Sequence, residues 1–253
     1  MPIEFGTIKG PALELRSLPM ELKNILGVIT LSIVFILIGL MIPKGDQETQ
    51  QILPWQIEKT ATESIKVFDL TLGESTLGDA EKRLKSNAVV SLFAQPDGTM
   101  ATEVFFEKVE LGGLSAKIVI VTDLNQEQLS AMYSNGSRIS TLGSGTNKVT
   151  LSAADLKQIR LARIDSLAYL PRVRLEDDLI KARFGEPSEI ITEAENKTVH
   201  WLYPELGLDL TINEKGGAVL QYISPKKFDK LLTPLRKLQE EQKLTQEQVP
   251  DAA

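Results

Sequence analysis

Few side chains in this chain could carry out chemistry. His200 is the single histidine, and the chain contains no cysteine. A serine–histidine–aspartate triad would have to use His200, but no Gly-x-Ser-x-Gly turn is present to expose a serine. A metal site would have one histidine and otherwise only carboxylates. The sequence therefore predicts no catalytic residue, no metal site and no cofactor. We expect His200 to be a structural or exposed strand residue whose replacement by alanine has little effect.

Acidic side chains are frequent but do not form a general acid–base pair. Glu176, Asp177 and Asp178 are consecutive, so on a helix they point about 100° apart and do not converge. In the first turn of a helix such acids are stabilised by the helix dipole. Gly143-x-Gly145 lacks the Lys-Ser/Thr ending of a phosphate-binding loop and is typical of a surface hairpin or linker. The sequence therefore favours a protein that is not an enzyme.

Aromatic residues near the end of the chain form the best candidate site. In "TVHWLYP" the two-residue period of a strand places Trp201 and Tyr203 on one face and His200 on the other. Tyr222 lies on a nearby strand. Two interpretations remain open: these aromatic side chains belong to the core, or they form an exposed patch that binds another protein. For Trp201 the pattern favours burial, because an antiparallel sheet covered on one face turns the set of Val199, Trp201 and Tyr203 toward its helices.

The C-terminal segment "SPKKFDKLLTPLRKLQEEQKL" is amphipathic. Phe228 and Leu235 lie on its apolar stripe, and Thr233-Pro234 predicts a break in the helix with Thr233 as a new N-cap. The stripe predicts packing on the adjacent domain or docking onto a partner. The candidate interface residues are Trp201, Tyr203, Tyr222, Phe228 and Leu235.

The elements that position these residues follow an uncharged run over residues 24–43. At 1.5 Å of rise per residue, twenty residues span roughly 30 Å, the thickness of a bilayer's hydrocarbon core. The run is longer than the apolar segment of a signal peptide, and no small-x-small cleavage site follows it. We therefore expect a retained transmembrane anchor that contacts inner-membrane lipid, rather than a core helix or a cleaved signal.

Charge predicts the orientation and excludes one class of partner. Lys9, Arg16 and Lys23 precede the run, and Lys44 and Lys59 follow it, which favours a cytoplasmic N-terminus. The chain has a net charge of −6, and residues 1–23 are neutral, so the excess of acid lies beyond the anchor. Nucleic acid is therefore not an expected partner.

The remainder has the pattern of an α+β fold. Helical segments with capping signals, such as Thr76 with Asp79 and Ser152 with Asp155, alternate with runs of short strands joined by tight turns. The pattern predicts a strand that ends at Gly73, a helix after Ser152 that continues through Ile164, and a later helix that turns Leu179 inward. Helix "STLGDAEKRL" and helix "VRLEDDLIKARF" are each followed by antiparallel strands, which indicates two divergent repeats whose sheets are covered on one face. The predicted boundaries are a cytoplasmic segment at 1–23, the transmembrane helix at 24–43, a linker at 44–64, the first repeat at 65–136, a joint at 137–151, the second repeat at 152–225, and a C-terminal amphipathic helix and tail at 226–253.

Within the second repeat, residues 175–223 resemble the BamE/SmpA-type envelope proteins and the related β-lactamase-inhibitor-like fold, and residues 66–124 resemble them more weakly. The residues that carry the match are Gly185, Pro187, Trp201, Tyr203, Gly216 and Gly217. The lipoprotein members have an acylated cysteine, whereas this chain has an apolar run instead. The resemblance implies a non-catalytic scaffold or adaptor on the outer face of a Gram-negative inner membrane.

Two functions follow as hypotheses. The first is a periplasmic module that binds other cell-envelope proteins in envelope assembly or maintenance. The alternative is a periplasmic sensor that binds a small molecule or lipid, for which a deep apolar pocket with converging polar groups is expected. The oligomeric state is left open.

Overall fold

The computed structural model describes residues 52–247, with side chains as far as Glu240. The predicted cytoplasmic segment, the anchor at 24–43, the linker at 44–51 and the last six residues lie outside the described part. None of the helices in residues 52–247 combines the length and apolar character needed to cross a membrane.

The described chain is an α+β fold in which every strand pairing is antiparallel, as the sequence predicts. Its strands are β1 (Glu58–Lys59), β2 (Ile65–Val67), β3 (Leu70–Thr71), β4 (Val89–Ala94), β5 (Met100–Leu111), β6 (Leu114–Thr122), β7 (Arg138–Thr141), β8 (Asn147–Thr150), β9 (Ile164–Pro171), β10 (Glu189–Thr192), β11 (Val199–Tyr203), β12 (Leu208–Ile212) and β13 (Ala218–Ile223). Its helices are α1 (Leu77–Leu84), α2 (Gln126–Ser134), α3 (Ala153–Ile159), α4 (Asp177–Phe184) and α5 (Asp229–Glu247).

Ten of the strands form one sheet in the order β10-β11-β12-β13-β9-β6-β5-β4-β8-β7. The two predicted repeats therefore contribute strands to a single sheet and do not form two separate ones. The strand that joins them is β9, which pairs with β13 on one side and with β6 on the other. The sequence interpretation did not find β9, because it continued the preceding helix through Ile164. The helix ends at Ile159, and Ile164 begins the strand.

One face of this sheet, the inner face, carries the main core. Helices α1 to α4 all place their buried residues in the same cluster as the inward residues of β5, β6, β9 and β11–β13. Thr76 caps α1 in a complete capping box with Asp79, and Ser152 caps α3, as predicted. In α4, Ile180 is buried but Leu179, predicted to face inward, is 37% exposed.

The opposite face of the sheet, the outer face, is covered only in part among the described residues. Helix α5 packs Phe228 and Leu235 against Ile191, Leu202 and Ile223 on this face. The predicted break at Thr233-Pro234 is wrong, because α5 runs continuously through Pro234. Phe228 and Leu235 are buried on either side of the proline, and this packing offsets the loss of one backbone hydrogen bond.

The segment before the sheet also differs from the prediction. The predicted single strand ending at Gly73 is a tight β2–β3 hairpin whose turn residues Phe68 and Asp69 have positive φ angles of 54° and 60°. Phe68 is held there by burial against Tyr169 and Tyr222, with ring centroids 5.1 and 5.8 Å away. Residues 52–64, assigned to the linker, belong to the folded body.

The joint at 137–151 is a β-hairpin, consistent with the interpretation of Gly143-x-Gly145 as a surface hairpin. Strands β7 and β8 pair with each other, and β8 pairs with β4, so the hairpin extends the sheet.

Candidate functional site

The three aromatic candidates lie in the core and not on the surface. Trp201 is 5% exposed, Tyr203 is 4% exposed and Tyr222 is fully buried. The Tyr203 hydroxyl donates to the Gly185 carbonyl at 3.1 Å, and the Tyr222 hydroxyl donates to the Pro54 carbonyl at 2.8 Å. Of the two interpretations left open by the sequence, the structure therefore favours the core.

The surroundings of these tyrosines agree with a structural role. Burial, and then the nearby charge of Glu186, raise the pKa of Tyr203 to about 12. Burial also raises the pKa of Tyr222 well above its ordinary value. Both hydroxyls thus stay protonated and serve as hydrogen-bond donors to backbone carbonyls, which fastens the residues around Pro54 and Gly185 to the sheet.

Phe228 and Leu235 are also buried, at 4% and 6% exposure. They form the contact between α5 and the outer face, which is the packing on the adjacent domain that the amphipathic pattern predicts. None of the five candidate interface residues is therefore free to anchor a partner in the folded chain.

His200 lies on the strand face opposite Trp201, as the two-residue period predicts. It is only 7% exposed, and it lies on the outer face between two carboxylates. Its Nδ1 atom is 2.9 Å from Oδ2 of Asp209, and its Nε2 atom is 3.0 Å from Oε1 of Glu193. Of the two roles expected from the sequence, a structural or an exposed strand residue, His200 therefore has the structural one. The sequence alone did not show that the neighbouring strands bring acids to both ring nitrogens.

The charge of His200 follows from this environment. Burial by itself lowers the pKa of the imidazole, and the hydrogen bonds and negative charges of Asp209 and Glu193 outweigh it, so the pKa lies above its ordinary value. The Asp209 side chain is 5% exposed and the Glu193 side chain is 20% exposed. The three groups form a buried ion cluster that ties β10, β11 and β12 together.

The described residues offer little that resembles a catalytic or metal centre. No group of three potential ligands in this part of the chain is arranged to hold a metal ion. Glu176 is the N-cap residue of α4, and Asp177 and Asp178 occupy its first turn, as the helix-dipole interpretation predicts.

One cleft with a volume of about 490 Å³ lies between the β1–β2 hairpin and the turns around Glu205 and Pro225. It is crossed by two ion pairs, Lys59–Glu205 at 2.9 Å and Lys226–Glu63 at 2.7 Å. Pockets for small molecules are usually apolar with a few polar groups. This cleft instead has charged, mostly exposed walls, so it does not match the pocket expected of a sensor.

The feature that the sequence interpretation missed is an apolar area on the outer face beyond α5. Val89, Phe105, Val119 and Ala168 lie directly opposite one another on four adjacent strands. Val89 is 61% exposed, and the other three are half-buried. With Val121, which is next on β6, these residues form what we call the outer-face patch. Since α1 to α4 pack on the inner face and α5 packs over β10, β11 and β13, no described helix covers it.

Two short stretches of sequence contained the signal for this patch. In "EVFFEKV", Phe105 and Phe106 are consecutive on a strand and must therefore point to opposite faces. In "KIVIVT", the uninterrupted run of β-branched residues from 118 to 121 gives both faces an apolar character, as in sheets that are covered on two sides. The prediction of a sheet covered on one face left these outward residues without a role.

Neither the known family models, nor the characterised proteins, nor the solved structures contain a match to this chain.

Proposed function

We propose that this chain is a non-catalytic, single-pass inner-membrane protein whose α+β body binds protein partners in the periplasm. The observation that carries the proposal is the outer-face patch. Exposed apolar surface that extends over several strands is unfavourable in water and commonly marks a contact with another macromolecule. The patch extends across four strands of one sheet face, which suits a protein better than a small molecule.

The membrane location and the cell-envelope setting rest on the sequence. The uncharged run at 24–43, the basic residues before it and the resemblance to BamE/SmpA-type proteins support an anchor with a periplasmic body. The acidic balance beyond the anchor argues against nucleic acid as a partner. A sensor of small molecules or lipids is the weaker alternative, because the cleft near Lys59 is polar and its charges already pair with each other.

The binding role is tested by placing a photo-cross-linking amino acid at Phe105 in cells. We expect specific protein adducts from Phe105 and none from Val173, which is 46% exposed but lies outside the patch. Equal adducts from both positions, or none from Phe105, would contradict the binding role of this face.

The compartment is tested separately by fusing alkaline phosphatase after Ala253. A retained anchor with a cytoplasmic N-terminus gives active enzyme, since alkaline phosphatase needs the oxidising periplasm for its disulfides. An inactive fusion would reverse the orientation, and a mature N-terminus beyond Pro43 would show that the apolar run is removed.

A further inference from the structure

The ten-stranded sheet ends in two edge strands, β7 and β10. All four residues of β7 are exposed, and no strand in the described part of the chain pairs with its outer edge. Where β7 pairs with β8, the Leu142 N–H donates to the Thr146 carbonyl at 2.8 Å. Hydrogen-bonded positions alternate along an antiparallel pair, so the N–H and C=O groups of Ile139 and Thr141 point away from β8. An open edge of this kind is a template for a further strand.

The surroundings of β7 leave room for that strand. The residues that flank the segment 138–142 are small: Gly136, Ser137, Gly143 and Ser144. Helix α2, which leads into β7, ends over β8 and not over the edge, because the Asn147 side chain donates to the Tyr133 hydroxyl at 3.3 Å. A strand laid along β7 would therefore meet backbone and small side chains.

A second copy of β7 matches this edge. An antiparallel pairing with the two Ser140 residues opposite each other joins Ile139 of each copy to Thr141 of the other. It uses both outward N–H groups and both outward C=O groups of each copy. Ile139, which is 47% exposed, then lies beside a β-branched residue. Arg138 lies opposite Leu142, which is 43% exposed and can be covered by the aliphatic stem of the arginine.

The other edge of the sheet does not offer this match. The equivalent twofold pairing of β10 with itself, centred on Ile191, would set Glu189 of one copy directly opposite Glu193 of the other. Like charges in opposite positions on neighbouring strands are destabilising. In β7 the corresponding positions carry a single charge, that of Arg138. The charge pattern therefore favours β7 as the edge that pairs with itself.

The rest of the described fold stays clear of such a contact. The twofold axis of an antiparallel strand pair stands at right angles to the sheet, so the inner faces of the two copies lie on the same side. Helix α5 is remote from the axis, because it packs over β10, β11 and β13 near the opposite edge. The outer-face patch begins at β4, the third strand from the edge, and stays uncovered.

We propose that β7 pairs antiparallel with β7 of a second copy, about a twofold axis between the two Ser140 residues, and joins the two sheets into one. The inference goes beyond the proposed binding function, because it uses the sheet edge and leaves the outer-face patch free. Five residues at about 3.4 Å span roughly 17 Å of strand. This contact is smaller than a standard interface of about 800 Å² per partner, so we expect a weak, reversible dimer.

The absence of cysteine allows a direct test in the full chain. Ser140→Cys and Ser137→Cys are purified separately in a mild detergent and oxidised with copper phenanthroline. In the proposed pair the two Cα atoms at position 140 lie about 4.5 Å apart, within the range of a disulfide. Those at position 137 lie six residues apart along the strands, roughly 20 Å. We expect disulfide-linked dimers to form at least tenfold faster from Ser140→Cys than from Ser137→Cys.

A proline in the edge tests whether this rate depends on strand pairing. The Thr141 N–H points outward, so Thr141→Pro keeps the hydrogen bonds to β8 but removes an outward donor. Added to Ser140→Cys, it should reduce the rate of dimer formation to that of Ser137→Cys. Circular dichroism checks that the chain is still folded.

The register is tested without proline by mixing Arg138→Cys and Leu142→Cys, two changes at exposed positions. These residues face each other in the proposed pair, so we expect mixed dimers to exceed each homodimer at least tenfold. If Thr141→Pro unfolds the chain, this mixture decides the result.

Equal rates from Ser140→Cys and Ser137→Cys would overturn the pairing. A rate that a folded Thr141→Pro chain leaves unchanged would also overturn it, as would mixed dimers in the statistical proportion. Disulfide adducts of Ser140→Cys with a different protein in cells, without dimers, would assign the edge to that protein. None of these outcomes affects the binding function of the outer-face patch, which is tested separately at Phe105.

Discussion

At the scale of single residues, the imidazole of His200 has a carboxylate on each ring nitrogen, and of the three groups only the Glu193 side chain, at 20% exposure, is partly open to solvent. Protonated His200 donates to both Asp209 and Glu193, so the cluster then carries one positive and two negative charges. Deprotonation would leave two carboxylates facing one neutral ring. The folded state thus favours the charged histidine more strongly than water does, and this preference links its stability to pH.

The first prediction concerns this linkage. Because the pKa of His200 is raised in the folded state, its stabilising contribution is complete below its unfolded pKa of about 6.5 and is lost as pH rises through the folded value. The free-energy difference between the natural chain and His200→Asn should therefore shrink as pH rises above about 6.5. This difference is measured by denaturant unfolding with tryptophan fluorescence as the signal, since Trp55 and Trp201 both lie in the described part of the chain. A difference that stays constant over this range would exclude the linkage.

The second prediction concerns Trp201. Its side chain is part of the main core, so Trp201→Ala should lower the free energy of unfolding by about 3–5 kcal/mol. Val89→Ala is the control, because Val89 is 61% exposed and should change stability by less than about 0.5 kcal/mol. The free energy of unfolding of both variants is measured by circular dichroism during denaturant unfolding. If the Trp201→Ala variant is as stable as the natural chain, Trp201 does not lie in the core, and the assignment of the inner and outer faces is reversed.

At the scale of elements, α5 shows that packing can override a local breaking signal. Proline inside a helix removes one backbone hydrogen bond and costs about 3 kcal/mol in a free helix. In α5 that cost is offset by Phe228 before the proline and Leu235 after it, both buried on the sheet. Lys230 on the same helix also pairs with Asp165 in β9, at 3.1 Å.

The third prediction tests this packing with a matched pair of leucines. Leu235→Ala should destabilise the body by at least about 2 kcal/mol, because it removes a buried side chain from a small cluster. Leu238→Ala, on the same helix but 41% exposed, should change stability by less than about 0.5 kcal/mol. Thermal unfolding of the two variants under the same conditions compares their stabilities. Equal losses would indicate that α5 contributes through its helical character and not through this contact.

At the scale of the whole molecule, β9 determines how the two halves depend on each other. It belongs in sequence to the second predicted repeat, yet it pairs along most of its length with β6 of the first. The main core likewise contains buried residues from both halves. The body therefore has one core, which is consistent with the described residues 52–247 lying in one compact unit.

The fourth prediction follows from this shared core. A fragment from Glu48 to Ala253 should unfold in one cooperative transition, because no part of the sheet is independent of the rest. Fragments 48–151 and 152–253 should each fail to give such a transition, since the cut leaves β6 and β9 as unpaired, apolar edges. Calorimetry of the three fragments provides the measurement. Independent folding of either half would support two autonomous repeats.

Much of the local structure could be predicted because local rules decide it. The Thr76–Asp79 capping box, the exit from α4 at Gly185 and the β12–β13 hairpin with its turn at Gly216-Gly217 all depend on residues within a few positions of each other. Strand β9 could not be separated from the helix before it, because "RIDSLAYLP" has apolar residues at spacings that suit both periods. Only its pairing with β6 and β13 makes it a strand.

The sequence by itself determined the α+β class, the antiparallel pairing of neighbouring strands and the amphipathic character of α5, since each depends on short-range periodicity and turn chemistry. The tertiary structure alone decided which side of each strand is covered. Burial of Trp201, the two carboxylates around His200 and the open row through Phe105 all depend on strands that are distant in sequence and adjacent in the sheet. A period of two assigns side chains to two faces, but only the packed elements decide which face is shielded from water.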